Sequence, residues 1–318
     1  MTALAPDSRT SDARGTARIF AELGHGASAG RLPGGNLFLQ HGPVNLVVDI
    51  QGTQGAIARA ERQLLDAFPH WLGHLVAVLP QLRTATSSAQ TAPADPIAAA
   101  MVAAVRPYAS TFITPMAAVA GAIADAAIEV IKTEPLITRA LVNNGGDIAL
   151  HLSESEAFTV GIVSDAHAGH IGAKVQIEAA TPVRGIATSG WRGRSHSFGV
   201  ADAITVLAPT AVQADAAATC IASATDTQDT MVKRAPANTL DDNTDLGSRL
   251  VTTNVGPLTE AARTRALDSG AKVAKRALRD GHICAAALCV QGQWRLLGAP
   301  LEDVVDPSIR PMTLSCSA

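Results

Sequence analysis

Leu-Val-Asn-Asn-Gly-Gly-Asp, the segment from Leu141 to Asp147, contains the turn around which the rest of the chain is organised. Its two glycines lack a Cβ atom, so they permit positive φ and let a ligand approach the main chain closely. The adjoining asparagine and aspartate side chains would add amide groups and a carboxylate at the same point. Asn-Gly between apolar runs is also the strongest short-range signal for a β-hairpin. The segment therefore predicts a hairpin turn, a ligand site or both.

Strand-like segments occur in clusters on either side of this turn, whereas helical segments occur singly. That order differs from the regular strand–helix alternation of a doubly wound parallel sheet. It predicts an α+β fold with a mixed or antiparallel sheet and helices packed on one face. Strands are expected at residues 17–23, 36–40, 44–51, 149–152, 158–163, 173–178, 203–207, 250–255, 283–290 and 294–297.

Capping residues and prolines indicate where the helices begin and end. Thr53 is expected to cap a first helix, which Pro69 helps to end. Asp95, followed by a proline, is expected to begin a second helix. Pro115 opens an apolar helix over residues 116–132, and further helices are predicted over residues 211–223 and 257–279.

The 318 residues are enough for a substantial core. Residues 1–15 are polar and rich in small residues, which predicts a disordered N-terminal tail. Residues 16–318 are expected to form a single domain, since no internal repeat or clear linker divides them. Two polar segments within it are predicted to be surface loops, one from Thr84 to Pro96 and the other from Asp226 to Asp245.

Composition excludes several classes of partner. The chain has a net charge of −3 with 17% charged and 3% aromatic residues, so neither a nucleic acid nor an anionic membrane is an expected partner. The longest apolar stretch, residues 116–131, is too short to span a bilayer and carries Asp125 and Glu129. The N-terminus lacks the pattern of a signal peptide, which predicts a cytoplasmic protein. Formation of a homo-oligomer is left open.

Polar residues that could carry chemistry occur in three otherwise apolar regions. These are the segment from Asn143 to Asp147, the run Thr188-Ser189-Gly190 with His196 six residues on, and the pair Asp215 and Thr219. Residues four apart share one face of a helix, so the Asp215 carboxylate and the Thr219 hydroxyl can face one ion. Two hard oxygen ligands suit Mg²⁺. The alternative is a threonine bonded to its own helix and a solvated aspartate.

In their order along the chain, these motifs resemble those of the ApbE superfamily, flavin transferases that use FAD and Mg²⁺ to attach FMN to a threonine of a target protein. The resemblance covers roughly residues 114–223 and rests on Gly-Gly-Asp, Ala-Thr-Ser-Gly, Ser-His and the run that ends Asp215-Ala-Ala-Ala-Thr219. It implies a fold related to the T-fold, and a flavin nucleotide, FAD or FMN, as ligand. A protein acceptor or a partner enzyme is the other partner that it implies.

The resemblance also implies roles for single residues. His196 would lie near the pyrophosphate, where an imidazole can act as acid or base at neutral pH. Mg²⁺ would be held by Asp215, Thr219 and a main-chain carbonyl near Ala120. The residues that would line the flavin pocket are Asn143, Gly145, Gly146, Asp147, Thr188, Ser189 and Gly190.

The sequence departs from the transferases at two places. Residues 118–121 read Ala-Val-Ala-Gly, where the transferases carry Ala-Lys-Gly, and Ser-Phe-Gly-Val follows His196 in place of a complete His-x-x-Asp-Pro pattern. This version looks more like a cytoplasmic ApbE-like branch. Two hypotheses follow. One is a Mg²⁺-dependent FMN transferase or FAD-processing enzyme. The other is a flavin- or pterin-binding protein without transfer activity, which acts in the metabolism of a small heteroaromatic compound or assists another enzyme.

Overall fold

A computed structural model describes residues 17–165, 170–299 and 301. Within these ranges the strands form one ten-stranded sheet and two separate two-stranded hairpins. The strands are β1 (Arg18–Gly24), β2 (Ala27–Arg31), β3 (Leu37–His41), β4 (Val44–Gly52), β5 (Ile137–Asn144), β6 (Asp147–Leu152), β7 (Ala157–Asp165), β8 (His170–Glu178), β9 (Gly185–Ser189), β10 (Ala203–Ala208), β11 (Val232–Pro236), β12 (Leu250–Val255), β13 (Ala285–Val290) and β14 (Gln293–Leu297).

The large sheet is antiparallel and has the order β1-β2-β3-β4-β5-β6-β9-β10-β13-β14. Its two halves meet where β6 pairs with β9. That pairing is short, with Ile148 opposite Ile186 and Ala149 opposite Gly185. The hairpin β7–β8 lies between these strands in sequence but forms its own sheet, as does the hairpin β11–β12.

Four of the helices begin directly after a threonine or aspartate that caps them. The side chains of Thr53, Asp95, Thr210 and Thr259 each accept a hydrogen bond from a main-chain N–H in the first turn of the helix that follows. The helices are α1 (Gln54–Ala77), α2 (Leu79–Leu82), α3 (Pro96–Val105), α4 (Val119–Ile131), α5 (Ala211–Ala224) and α6 (Glu260–Arg279).

The two faces of the large sheet are covered differently. Alternate residues of the strands, such as Val142, Ile204 and Val206, pack with helices α1, α3, α4, α5 and α6 in one continuous apolar cluster. The other face, with Leu150 and Leu207, packs against the hairpin β7–β8. Much of the helical layer is alanine, which allows close approach of helices and sheet in a chain poor in aromatic residues.

The predicted α+β class, with an antiparallel sheet and helices on one face, is confirmed. One loop prediction is corrected: the segment from Asp226 to Asp245 contains β11, because Val232–Pro236 finds a pairing partner in β12. Pro69 lies inside α1 and does not end it. The segment from Thr84 to Pro96 is irregular up to the start of α3. Residues 1–15 lie outside the described ranges.

No helix in the described ranges combines the length and the hydropathy needed to cross a bilayer.

Candidate functional site

The segment from Leu141 to Asp147 forms the end of β5, a two-residue turn and the start of β6. Asn144 pairs with Asp147, and between them Gly145 and Gly146 have φ of +67° and +117°. The side-chain oxygen of Asn143 accepts a hydrogen bond of 2.8 Å from the Gly146 N–H and so closes the turn. The predicted hairpin is therefore present, and the two glycines supply the positive φ that it requires.

Helices α4 and α5 are antiparallel and cap each other's N-termini with aspartates. The Asp125 carboxylate in α4 accepts from the N–H groups of Ala211 and Val212, at 2.9 and 2.8 Å. The Asp215 carboxylate in α5 accepts from the N–H of Gly121 at 3.0 Å. Each carboxylate thus binds main-chain N–H groups that have no partner within their own helix. Each also lies at the positive end of that helix's dipole.

This exchange of caps requires the two helices to touch. A Cβ atom at Gly121 would lie 2.3 Å from the main-chain oxygen of Ala211, so only glycine permits the contact. The Ala-Val-Ala-Gly run of residues 118–121 therefore has a packing function at its last residue.

Asp147 and Asp215 form the electrostatic centre of the site, which we call the carboxylate pair. Both are partly buried, and burial raises the pKa of Asp147 to about 7. The pKa of Asp215 is raised well above its ordinary value by burial and then by the negative charge of Asp147. Two carboxylates whose negative charges oppose each other favour a bound proton or a cation between them.

Polar groups of three further segments surround the carboxylate pair. The main-chain N–H of Thr188 donates to Asp147, and the Asn144 amide donates to the carbonyl oxygen of Ala120 at 3.1 Å. The Thr219 hydroxyl lies 3.5 Å from the carbonyl oxygen of Ala117, one helical turn further along the α4–α5 contact. Asp215 and Thr219 therefore both face the start of α4.

Arg194 completes this region, although the sequence alone did not single it out. Its guanidinium lies over the turn, such that a Cβ atom at Gly145 would be 1.8 Å from Nη2. Its positive charge lowers the pKa of Asp147, which opposes the larger effect of burial. Arg194 is exposed, so the side chain can move toward a ligand above the turn.

The other predicted residues have different surroundings. The Thr188 hydroxyl bonds to that of Thr205 at 2.9 Å, and Ser189, at the end of β9, is partly buried. Gly190 is buried, and a Cβ atom there would lie 2.5 Å from the carbonyl oxygen of Asp202, so close packing explains this glycine. In the described part of the chain, no hydrogen bond or ion pair joins His196 to either member of the carboxylate pair.

The oxygen atoms around the carboxylate pair fit a hard divalent cation. Two carboxylates and a hydroxyl are ligand types that Mg²⁺ accepts, with water completing its coordination. Burial raises the pKa of Asp147 by penalising its ionised form, and a bound cation would offset that penalty. The Ala120 carbonyl already accepts from Asn144 and also lies in the hydrogen-bond ladder of α4, so a metal would have to displace the Asn144 amide from it. Among the residues described, no group of three or more His, Cys, Asp or Glu side chains is arranged as a metal site.

Sequence patterns singled out Asp215, Thr219 and the glycine turn as candidates but did not predict the contact of Asn144 with α4 or the capping role of Asp125. Asp125 could have been predicted to have a binding partner, because it is an aspartate in an otherwise apolar helix and a buried charge needs a partner. No local pattern could reveal Arg194, whose position depends on how the connection from β9 to β10 folds back over the turn.

Comparison with known proteins identifies curated relatives of part of the chain. A UPF0280 protein of Methanopyrus kandleri is 39% identical over 171 residues, which are 52% of this chain and 65% of the relative. A UPF0280 protein of Methanocaldococcus jannaschii is 37% identical over 113 residues, 35% of this chain and 45% of the relative. The chain thus spans less than two thirds of the length of these curated relatives.

Among solved structures, the chain is similar to the flavinyl transferase ApbE of Pseudomonas stutzeri, with a TM-score of 0.38, 15% identity and coverage of 90% of this chain and 96% of that one. It is also similar to the flavin transferase ApbE of Vibrio cholerae, with a TM-score of 0.37, 10% identity and coverage of 85% and 96%. The model of the family described as AbpE bacteria matches residues 29–296. The chain therefore belongs to this AbpE family, which confirms the predicted membership of the ApbE superfamily.

Proposed function

We propose that the chain binds a flavin nucleotide together with Mg²⁺ at the carboxylate pair and acts as an FMN transferase or FAD-processing enzyme. The observation that carries the proposal is the position of Asp147 and Asp215. These two partly buried carboxylates lie next to a turn of two exposed glycines, with the exposed Arg194 guanidinium over Gly145. Membership of the AbpE family supports the same function.

In this proposal Asp215, Thr219 and Asp147 hold the cation, and the Ala120 carbonyl becomes a further oxygen ligand in place of its hydrogen bond from Asn144. The bound Mg²⁺ would neutralise phosphate charge, which is the main requirement of phosphoryl transfer. The guanidinium of Arg194 can donate to a phosphate oxygen above the turn.

The remaining predicted residues would bind the nucleotide. Gly145 and Gly146 leave the main chain bare for a flat or charged group, and both are exposed. Asn143 and the end of β9, from Thr188 to Gly190, border the same region in the proposal. His196 is proposed as the acid or base that moves a proton during transfer.

The test is incubation of the purified full-length chain with FAD, Mg²⁺ and candidate protein acceptors, with chromatography to detect AMP and fluorescence to detect protein-bound flavin. Asp215→Asn keeps a hydrogen-bond acceptor at the start of α4 but removes the charge. It should lower product formation about 100-fold or more, because cation binding is lost.

The matched control is Asp125→Asn, the same change at the reciprocal cap, which should leave activity close to wild type. Equal activity in the Asp215→Asn variant, or no AMP or FMN from FAD with any acceptor, would contradict an enzymatic role.

A second candidate function is binding of a flavin or pterin without transfer, as part of heteroaromatic metabolism or as an accessory to another enzyme. It is favoured by the absence of lysine in residues 118–121 and by the hydrogen bond that already engages the Ala120 carbonyl. Under this function, titration would show binding of FAD with no AMP or FMN released over time. Failure to bind any flavin would contradict both functions.

A further inference from the structure

Four of the nine histidines of the chain line one surface cavity of about 460 Å³ that is separate from the carboxylate pair. They come from three parts of the fold. His25 lies in the turn between β1 and β2, His41 ends β3, and His70 and His74 are one turn apart in α1. The other lining residues are Pro69, Leu72, Gly73 and Val76, so the described part of the chain adds no carboxylate to the cavity wall. We call this feature the histidine cavity.

We propose that the histidine cavity binds a divalent transition-metal ion that prefers imidazole ligands, with Zn²⁺ as its representative. The i, i+4 spacing of His70 and His74 places both rings on one face of α1, as in helical zinc sites. Neutral imidazole suits Zn²⁺, Ni²⁺ and Cu²⁺, whereas Mg²⁺ prefers oxygen. The site is therefore distinct in its chemistry from the one proposed for Mg²⁺.

Ring separations support a shared ion. Two imidazoles that bind one ion at about 2.0–2.1 Å have ring centroids roughly 5 Å apart. The centroids of His25 and His70 are 5.1 Å apart, and those of His70 and His74 are 6.4 Å apart. The first pair is already at the required separation. The second must close by about 1 Å.

No three His, Cys, Asp or Glu side chains among the described residues are arranged as a metal site, so binding needs these rings to rotate from their present positions. His25, His70 and His74 are exposed, so their rings can change rotamer at small cost. His25 also has φ of +53°, a conformation uncommon outside glycine, and it lines the cavity from the turn between β1 and β2.

A further contact supports a metal site at His74. Nδ1 of His74 lies 3.5 Å from the Asp95 carboxylate. A carboxylate behind an imidazole fixes the tautomer that leaves the other nitrogen free for a metal.

The test uses the full-length chain without a histidine tag, in an Asp215→Asn background so that the carboxylate pair does not contribute. Zn²⁺ affinity is measured by competition with a coloured chelator, and Co²⁺ is added to record its d–d absorption. The expected result is one ion per chain with Co²⁺ bands typical of nitrogen ligands, not displaced by excess Mg²⁺. His70→Gln and His74→Gln should each weaken Zn²⁺ binding at least 10-fold.

Two controls distinguish metal binding from general effects. His282→Gln changes a histidine outside the cavity and should leave Zn²⁺ affinity unchanged. Asp95→Asn preserves an oxygen that can cap α3 at the Ala98 N–H, but it should weaken Zn²⁺ binding about 10-fold through His74.

Zn²⁺ binding that is equal in wild type and the His70→Gln variant, or Co²⁺ bands typical of oxygen ligands only, would overturn the proposal. Neither result would bear on flavin or Mg²⁺ binding at the carboxylate pair, so failure here is distinguishable from failure of the proposed function.

Discussion

The raised pKa of Asp147 links the stability of the protein to pH and to cations. Because the folded-state pKa is about 7 and the unfolded value is near 4, the folded chain keeps a proton between these values that the unfolded chain loses. The stabilisation from this proton is fully present below pH about 4 and is lost as pH rises through about 7. Asp215, whose pKa is raised in the same direction, adds to this trend.

We therefore expect Mg²⁺ to raise the melting temperature more at pH about 8 than at pH about 5.5, because protonated carboxylates do not bind the cation. Differential scanning fluorimetry with and without millimolar Mg²⁺ at both pH values measures this. Asp147→Asn removes one charge of the pair and should abolish most of the Mg²⁺ effect. An equal Mg²⁺ effect at the two pH values would show that the carboxylate pair is not the binding site.

The two glycines of the turn allow a second test at single residues. Gly145→Ala would force the Arg194 guanidinium away, whereas a Cβ atom at Gly146 meets nothing within 4 Å. Both changes place alanine at positive φ, at a cost of about 1 kcal/mol or more. Gly145→Ala should therefore weaken FAD binding about 10-fold more than Gly146→Ala, since only the first displaces a phosphate donor. Isothermal titration gives both affinities, and equal losses would remove Arg194 from the site.

Part of the candidate site could be predicted from the sequence, because the spacing of some residues determines how they lie relative to one another. Asp215 and Thr219 share one helical face whatever the helix packs against, and Gly145-Gly146 predicts a turn from backbone freedom alone. The positions of Gly190 and Arg194 could not be predicted from the sequence in this way. The first is a glycine because the Asp202 main chain lies against it, and the second reaches Asp147 through a long connection, so both depend on tertiary contacts.

At the scale of elements, the exchange of caps between α4 and α5 fixes how these helices meet. Burial raises the pKa of Asp125 to about 6, while the N–H groups of Val212 and Ala211 lower it. Asp125→Ala removes two charge-assisted hydrogen bonds and leaves buried donors unpaired, which should cost about 2–3 kcal/mol in the free energy of unfolding.

Urea denaturation measures that loss as a shift of the midpoint with an unchanged m-value. Asp125→Asn keeps an acceptor oxygen and should lose only about half as much. If Asp125→Ala unfolds at the wild-type midpoint, the cap contributes nothing to the helix contact.

The ends of helices could be predicted from the sequence where an interaction between neighbouring residues determines them. Thr53 and Asp95 cap their helices as predicted, because the side chain and the N–H that it accepts are three residues apart. Pro69 did not end α1, since residues beyond it, including Leu75 and Trp71, pack into the core and extend the helix past the missing N–H. β2 and β11 were missed because their partners, not their own composition, make them strands.

At the scale of the whole molecule, the two halves of the large sheet are joined by the short pairing of β6 with β9, which has two paired positions. We call this junction the seam of the sheet. Helix α4 packs on β5 and β6 on one side of this seam, and α5 packs on β9 and β10 on the other. The α4–α5 contact therefore holds the two halves of the sheet together, and the carboxylate pair lies where the halves meet, with Asp147 in β6 and Asp215 in α5.

The glycine at that helix contact provides the test at this scale. Gly121→Ala places a Cβ atom 2.3 Å from the Ala211 oxygen, and neither main chain can yield without separating α4 from α5. We expect a loss of about 3 kcal/mol in the free energy of unfolding and faster hydrogen exchange of the β6 and β9 amides, because the seam opens with the helices. Gly73→Ala is the matched change in α1, where a Cβ atom meets nothing within 4 Å, and it should stabilise the protein by about 0.5–1 kcal/mol. If both variants have the same stability, the α4–α5 contact does not hold the halves of the sheet together.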